Sequence, residues 1–263
     1  MVRLPISVVV PVKNMEDTLA ACLTSIANNH PCEVILIDGG STDKSVEVGR
    51  NYTERIFFDG GRGPSYAHQL GLERATQEYI AFVDADIILP RDALLQMLRE
   101  MEKGGFQLIQ ARWTSADSSS YLVRAQDWQA KNLAARKTGG LSAALLHRNS
   151  ALKVGFDPSI TTPGDDYDFL FRLRNMGYRI GNSAVHVFHH HRPLLRTLVS
   201  RHIQLGQGYL PLIRKHGLRL DLLVPAIAAY WITFSFASRK PQYLPYLIVV
   251  FSSQVVGLFL PRS

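Results

Sequence analysis

An apolar run that ends in two carboxylates, residues 79–88, constrains the fold more than any other stretch of this chain. The run begins with five apolar residues, the pattern of a strand buried on both faces of a parallel sheet. Asp84 and Asp86 follow, and alternate strand residues point to one side, so we expect the two carboxylates to converge. Ligands of open α/β sheets gather at the carboxyl ends of strands, where two carboxylates suit Mg²⁺ or Mn²⁺ carrying a diphosphate. An isolated Asp-x-Asp is more often a solvated turn with a helix cap, so the neighbouring motifs must decide.

Charge divides the chain into two unequal parts. Residues 1–168 hold 17 Lys and Arg against 21 Asp and Glu, a net of −4, whereas residues 169–263 hold 12 against the single Asp221, a net of +11. Residues 169–263 are basic and also carry long apolar runs, a combination that indicates contact with an anionic membrane surface. Nucleic acid is the alternative partner, but no nucleic-acid-binding motif accompanies the charge, so none is predicted.

The cysteines and the first residues bear on the compartment. Cys22 and Cys32 have neither metal-ligand nor CxxC spacing, which favours a reducing compartment. Pro11, Lys13 and Asn14 interrupt the first apolar run, so we do not expect a signal peptide there.

Strand and helix patterns alternate through the first half of the chain, which predicts a doubly wound, mostly parallel sheet. Asn14 is predicted to cap the first helix. The Gly-rich turn at 38–43 is a natural place for a nucleotide base or ribose, and Arg62 in the loop before the third helix is either a phosphate contact or a solvated surface residue. The predicted strands are 6–12, 33–37, 55–58, the run ending at Asp84, and 106–113.

Three later segments carry candidate chemistry. Gly139 and Gly140 lead into a predicted strand at 141–146, and could let a substrate approach the backbone. Three acids within four residues open the helix at 165–176, more than capping needs, and clustered carboxylates raise each other's pKa as a general base requires. A strand at 184–188 delivers His189, His190 and His191, of which one could be a metal ligand or all could be structural. Further helices are predicted at 118–136 and 148–154.

The C-terminal part is predicted to meet a membrane. Residues 193–215 form a basic amphipathic pattern, and 222–238 and 244–260 are uncharged stretches of 17 residues each. These two apolar helices could form a transmembrane hairpin or lie in the interface. We therefore divide the chain into a catalytic domain at 1–192, an interface segment at 193–220 and a membrane-associated segment at 221–263.

In motif order and spacing, residues 6–208 resemble the family 2 glycosyltransferases of the GT-A fold. Residues 8–14 are similar to the family's opening strand, 37–43 to its base-binding turn, 84–86 to its metal-binding DxD and 164–169 to its Glu-Asp-x-Asp-Leu helix start. Residues 201–208 look like the tail of membrane-attached members. Two positions depart from the pattern, because Gly39 replaces the second Asp of the turn and His68-Gln69 replaces an Arg-Asn pair.

The resemblance implies a role for each matched residue. It implies a Rossmann-like central sheet flanked by helices, Mn²⁺ or Mg²⁺ as cofactor, and Asp166 as the catalytic base. The implied metal ligands are Asp86 and Asp84 with His191 and His189, and the implied acceptor residues are Gly139, Gly140 and Asp165. The implied donor-binding residues are Pro11, Asn14, Asp38, Gly40, Arg62, Asp84, Ala85, Asp86 and Arg201.

The resemblance also implies the reaction. It would be an inverting transfer of one sugar from a UDP- or GDP-sugar to a lipid-linked or glycan acceptor, at the cytoplasmic face of the membrane. The processive Gln-x-x-Arg-Trp signature is absent from the sequence, which favours single additions. The alternatives are a polyprenyl-phosphate glycosyltransferase and an inactive membrane-attached scaffold. A sugar-nucleotide pyrophosphorylase is disfavoured because residues 11–18 lack its Gly-rich loop.

Overall fold

The computed structural model describes residues 3–134, 140–161, 163–190, 194–217 and 240–260. The chain separates into two compact units. The first comprises Met1–Ala116, Gly139–Thr161 and Asp165–His190, and the second comprises Asp117–Thr138, Thr162–Gly164 and His191–Ser263. The division into three segments at residues 192 and 220 stays a prediction.

An eight-stranded mixed sheet forms the centre of the first unit, in the order β3-β2-β1-β4-β7-β6-β8-β5. Strands β3, β2, β1 and β4 are parallel, as predicted, but β7 runs antiparallel to both β4 and β6. Strand β8 is parallel to β6, and β5 is antiparallel to β8. The strands are β1 (Leu4–Val12), β2 (Pro31–Asp38), β3 (Ile56–Phe58), β4 (Tyr79–Val83), β5 (Ile87–Ile88), β6 (Leu108–Ser115), β7 (Ala143–His147) and β8 (Ile180–His189).

Helices cover both faces of this sheet, so its central strands are buried on both sides. Along β1, Val8 and Val10 belong to one apolar cluster and Val9 belongs to the other, which is the alternation expected of a strand between two layers. The first cluster includes residues of α1 and α4, and the second includes residues of α3, α6 and α7. The helices of this unit are α1 (Glu16–Ala27), α2 (Ser45–Arg50), α3 (Pro64–Arg74), α4 (Ala93–Gly104), α6 (Arg148–Val154) and α7 (Asp165–Asn175).

The described part of the second unit consists of α5 (Tyr121–Ala134), α8 (Leu195–His216), α9 (Leu244–Phe259) and the short 3₁₀ turn Pro241–Tyr243. Helices α8 and α9 approach closely at two glycines. A Cβ on Gly206 would lie 2.1 Å from the carbonyl oxygen of Gln254, and a Cβ on Gly257 would lie 2.1 Å from that of Ile203. The stretch Pro241–Phe259 is long and apolar enough to cross a membrane by length and composition. Of the two apolar helices predicted, 244–260 is observed as α9, whereas 222–238 lies outside the described residues.

Candidate active site

Two candidate motifs, the loop at Asn14 and the turn at Asp38, follow the neighbouring parallel strands β1 and β2 at their carboxyl ends. In the β1–β2 register Val12 lies opposite Asp38, and the Gly39 N–H donates to the carbonyl of Val12 at 2.8 Å. The loop after β1 and the turn after β2 therefore start side by side. Pro11 is half-buried within β1, where it pairs with Ile37.

The turn after β2 is built around Asp38. Its carboxylate, 8% exposed, accepts the N–H groups of Gly40 at 3.2 Å and of Ser41 at 3.1 Å. Gly40 has φ +81°, a conformation that L side chains rarely adopt, so the turn needs glycine there. Beside it lies the ring of Phe58, 63% exposed, whose Cε2 would be 3.4 Å from a Cβ added to Gly40. The turn thus offers an exposed aromatic surface next to a buried carboxylate.

Asn14 does not cap α1, so that prediction is wrong. Asn14 has φ +54°, a left-handed conformation that Asn tolerates well, and its Oδ1 accepts the N–H of Thr42 at 2.8 Å. Side chains from the segment after β2 accept the first amides of α1 instead. Met15 N–H donates to Ser45 Oγ at 2.7 Å, and Glu16 N–H donates to Asp43 Oδ2 at 3.1 Å. Asn14 therefore stabilises the turn of Asp38.

The loop Asp84-Ala85-Asp86 is held in place by its backbone. The carbonyl of Asp84 accepts the N–H of Ile87 at 3.0 Å, which makes the loop a tight turn rather than the strand end that we predicted. The carbonyl of Ala85 accepts Thr18 Oγ1 at 3.0 Å, and that of Asp86 accepts the N–H of His190 at 2.8 Å. At the other side, Asp84 N–H donates to the carbonyl of Ser142 at 2.9 Å.

The charge of Asp86 acts on the carboxylate of Asp84, and the backbone between them is a turn and not a strand. Burial, and after it the charge of Asp86, raise the pKa of Asp84. Oδ2 of Asp86 lies 3.0 Å from Nε2 of His189, which is 6% exposed and contacts the ring of Trp113 edge-on at 5.3 Å. Two of the four metal ligands implied by the resemblance are therefore in direct contact. His191 lies outside the described residues, among which no group of three or more His, Cys, Asp or Glu side chains could hold a metal ion.

The three acids at the start of α7 have three different environments. Asp168 is fully buried and pairs with Arg172 at 2.6 Å, whose guanidinium also donates to the carbonyls of Val154 and Gly155. Asp165, 5% exposed, pairs with Nδ1 of His68 at 2.7 Å. Only Asp166 is left partly exposed.

The carboxylate of Asp166 has a raised pKa. Burial is the largest cause, the charge of Asp165 the next, and together they raise the pKa of Asp166 to about 7. Its Oδ1 accepts the N–H of Tyr167 at 2.8 Å, and its Oδ2 would be 3.3 Å from a Cβ on Gly140. Gly140 therefore borders this carboxylate, and its role in admitting a substrate stays a prediction. Gly139 lies outside the described residues.

The two arginines among the predicted site residues are exposed. The guanidinium of Arg62 stacks 3.2 Å above the ring of Tyr66, and its Nε donates to the carbonyl of Asp59 at 3.2 Å. Arg201 lies on α8 in the second unit. The donor-binding roles of both arginines stay predictions.

His68 is the site-lining residue that sequence analysis did not assign. It was noted only because it stands where the resembling family has Arg. Its partner Asp165 lies 97 residues further along the chain, so no local pattern could have paired them.

The family follows from a comparison with known sequences. A model described as glycosyl transferase family 2 matches residues 7–152, more than half of the chain. The chain belongs to glycosyltransferase family 2. The family match includes the turn of Asp38, the Asp84–Asp86 loop and Gly140, and it stops before Asp166.

Individual relatives are similar at lower coverage of their own length. An uncharacterized glycosyltransferase of Haemophilus influenzae is 37% identical over 106 residues, which cover 36% of this chain and 42% of that protein. A pre-mycofactocin glycosyltransferase of Mycobacterium tuberculosis is 26% identical over 272 residues, which cover 96% of this chain and 57% of that protein. The family 2 chain described here thus spans less than two thirds of either relative.

Solved structures show the same fold. The crystal structure of glucosyl-3-phosphoglycerate synthase from M. tuberculosis with Mg²⁺ and UDP matches with a TM-score of 0.59 at 18% identity, over 81% of this chain and 80% of that one. A structure of that enzyme with Mn²⁺, UDP and phosphoglyceric acid matches with a TM-score of 0.57, over 81% and 79%. The predicted GT-A fold, a central sheet flanked by helices, is confirmed, although the sheet is mixed and not mostly parallel.

Proposed function

We propose that this family 2 glycosyltransferase moves a single sugar, with inversion, from a nucleoside-diphosphate sugar to a hydroxyl of a lipid-linked or glycan acceptor. The observation that carries the proposal is the fixed Asp84–Asp86 loop with Asp86 in contact with His189 at 3.0 Å. The similarity of this chain to glucosyl-3-phosphoglycerate synthase, which was crystallised with UDP, makes UDP-sugars the first donors to test.

The side chains of the loop fit a divalent cation, Mn²⁺ or Mg²⁺. Two neighbouring ligands at about 2.1 Å from one octahedral Mg²⁺ are themselves about 3 Å apart. Oδ2 of Asp86 and Nε2 of His189 already have this separation, 3.0 Å. A cation would also offset the burial, and the charge of Asp86, that raise the pKa of Asp84. We propose Asp86 and His189, which already lie together, as its first protein ligands, with Asp84 and His191 as the further candidates from the sequence. When bound, the cation neutralises the leaving diphosphate.

The remaining chemistry belongs to Asp166. Its carboxylate would take the proton of the acceptor hydroxyl as that oxygen bonds to the anomeric carbon. The bond from the anomeric carbon to the diphosphate breaks in the same step, and the nucleoside diphosphate leaves with the bonding electrons. General-base assistance of this kind is worth about 10²–10⁴-fold in rate. We propose Asp38, with Asn14 supporting its turn, for the nucleoside, Gly40 for close backbone approach, and Pro11, Arg62, Ala85 and Arg201 for the rest of the donor.

A donor screen tests this function. UDP-, GDP- and dTDP-sugars are incubated with the full chain and Mn²⁺ or Mg²⁺, and hydrolysis of the donor to nucleoside diphosphate is measured without an acceptor. Isothermal titration with the nucleoside diphosphates, with and without Mn²⁺, is run in parallel. We expect hydrolysis of one donor class and tighter, metal-dependent binding of its nucleotide. Neither turnover nor metal-dependent binding would favour the inactive scaffold.

We further propose that α9 lies on the cytoplasmic face of a membrane. Its exposed apolar residues recur every three or four positions, so they share one face of the helix. The opposite face packs on α5 and α8 through Tyr246, Leu247 and Val250. The exposed apolar residues of α9 are Leu244, Ile248, Phe251, Val255, Val256 and Phe259. The basic C-terminal part of the chain suits an anionic lipid surface.

Replacing Phe251 and Phe259 together with serine is expected to weaken binding to anionic vesicles about tenfold or more. The reason is that each buried aromatic side chain contributes on the order of 1.5–3 kcal/mol by burial of apolar area. Co-sedimentation with phosphatidylserine-containing vesicles measures this change. Leu152→Ser with Met176→Ser makes the same kind of exchange at exposed positions of the first unit and should leave binding unchanged. Equal binding by both double variants would remove the proposed role of α9.

A further inference from the structure

His68 and Asp165 form a buried ion pair directly beside the proposed base. His68 lies on α3, is 9% exposed, and its Nδ1 is 2.7 Å from Oδ2 of Asp165. The imidazole stacks on Phe156 with ring centroids 5.0 Å apart and meets Phe82 edge-on at 4.9 Å. Rings on two sides and a carboxylate at Nδ1 leave this side chain little freedom to turn.

The surroundings of His68 favour its charged form. Burial is the largest influence on the ring and lowers its pKa, but the charge of Asp165, the hydrogen bond to it, and the charges of Asp84 and Asp166 outweigh burial and raise the pKa of His68. Buried ion pairs are weak contributors to stability, because desolvation offsets most of their attraction. We therefore expect the His68–Asp165 pair to serve the site and not the stability of the fold.

We propose that His68 is a positioning residue for sugar transfer, which as an imidazolium holds the carboxylate of Asp165 turned away from Asp166, so that Asp166 alone faces the acceptor. The inference rests on the proposed function, since it takes Asp166 to be the base. It also gives Asp165 a role other than the acceptor contact that the resemblance implied.

The charges around Asp166 show how the pair would act on it. The charge of Asp165 raises the pKa of Asp166, His68 lowers it, and Asp84, which follows β4, raises it. The charge of Asp165 therefore brings the pKa of Asp166 toward neutrality, where a base works best, and His68 limits that effect. Without the His68 ring, the buried carboxylate of Asp165 would lose the partner that orients it beside Asp166.

Gln69, the residue after His68, also contacts the segment that packs against the His68 ring. Its Oε1 accepts the N–H of Phe156 at 2.7 Å, so α3 contacts the segment after α6 through two successive residues. His68 and Gln69 stand where the family pattern has Arg and Asn. Because Arg is also a cation, we expect His68→Arg to preserve the function of the pair and His68→Gln, which keeps a donor without the charge, to lose it.

The first experiment compares His68→Gln and His68→Arg with the wild-type chain in donor hydrolysis. We expect His68→Gln to lower kcat at least about tenfold with little change in KM for the donor, the usual cost of removing a group that orients a functional side chain. His68→Arg should stay within a few-fold of wild type. His147→Gln, the same exchange at a histidine that contacts Tyr79 at the far end of β4, should behave as wild type. Thermal unfolding of each variant verifies folding, and a kcat for His68→Gln within twofold of wild type overturns the proposal.

The second experiment reads the effect on Asp166 itself. In Asp165→Asn the negative charge beside Asp166 is gone, so the acid limb of the rate against pH should move to lower pH; the shift is reduced, but not reversed, because a neutral His68 no longer lowers the pKa of Asp166. A purely structural pair would change stability and leave this limb where it is, so an unmoved limb also overturns the proposal.

A third measurement needs no activity and separates this inference from the proposed function. Histidine-selective NMR should show one ring, absent in His68→Gln, that is protonated on both nitrogens at pH 7.5 and becomes neutral in Asp165→Asn. A neutral ring in the wild type would refute the inference even in an active enzyme. A cationic ring in a chain that hydrolyses no donor would leave the pair standing and refute the proposed function.

Discussion

Replacing Asp86 with alanine is expected to reduce transfer on the order of 10³-fold. The carboxylate is one of the proposed ligands of the cation that neutralises the leaving diphosphate, and such charge stabilisation contributes several kcal/mol, each ~1.4 kcal/mol being a factor of ten. Loss of Asp86 would also leave His189 without its 3.0 Å partner. Initial rates of donor turnover at saturating Mn²⁺ measure the loss, and calorimetry with the nucleoside diphosphate should show that Mn²⁺ no longer tightens binding.

Two variants separate the charge of Asp86 from its shape and from the general charge of the protein. Asp86→Asn preserves the size of the side chain but removes the anionic ligand, so it should lose nearly as much activity as alanine. Asp17→Ala removes an exposed acid on α1 and should leave turnover unchanged. Full activity in Asp86→Ala would remove the proposed metal site and with it the mechanism.

The sequence predicted the elements of the first unit well, because their periodicity is clear. The predicted helix 148–154 coincides with α6, Arg148–Val154, and the predicted strand 55–58 with β3, Ile56–Phe58. The direction of β7 was not predictable. An apolar run buried on both faces looks the same whether its neighbours are parallel or antiparallel, so "mostly parallel" was the expectation and a mixed sheet is the finding.

Local patterns were weaker at the site, where tertiary contacts decide the conformation. Asn14 has the residue type of a cap, but the loop after β1 places it left-handed and turns its side chain to Thr42. Asp84 and Asp86 were expected to converge through strand alternation, yet the backbone there is a turn closed by Ile87. At both places the backbone conformation decided the geometry, and the residue type alone did not indicate it.

The cluster at the start of α7 illustrates the same limit. Three acids at 165, 166 and 168 look equivalent in sequence, since all lie in the first turn of a helix. Their partners distinguish them, because His68 comes from α3, while Arg172 lies one turn further along α7. Asp166 was selected through the family resemblance and not through the pattern, and the structure adds the physical reason, a carboxylate with a raised pKa next to Gly140.

Replacing Asp166 with asparagine is expected to lower transfer to a hydroxyl acceptor by about 10²–10⁴-fold while donor binding is kept. The amide has nearly the shape of the carboxylate but cannot take a proton. In the wild type the rate should rise with pH through about 7, where the base loses its proton, and this limb should be absent in Asp166→Asn. Steady-state rates from pH 5.5 to 9 and calorimetric donor affinity measure both effects.

The stability of the same variant provides a measurement that needs no substrate. The folded-state pKa of Asp166 lies above its unfolded value of 3.8, so the folded state holds the proton more tightly and wild-type stability falls as pH rises from about 4 to 7. Asp166→Asn lacks this titration. It should therefore gain resistance to urea relative to wild type at pH 8, with little gain at pH 4. Equal midpoints at both pH values would contradict a raised pKa.

Asp166→Asn also distinguishes the two kinds of acceptor that the sequence left open. A polyprenyl phosphate is already an anion and needs no base, so the variant would keep its turnover with that acceptor and Asp166 would serve to position a substrate. A hydroxyl acceptor needs the proton removed, so turnover would collapse. If Asp166→Asn keeps its turnover with a hydroxyl acceptor, another residue is the base. If it keeps its turnover only with a phosphate acceptor, the chain is a polyprenyl-phosphate glycosyltransferase. The variant should therefore be tested with both acceptors, and the difference between the two rates identifies what the enzyme glycosylates.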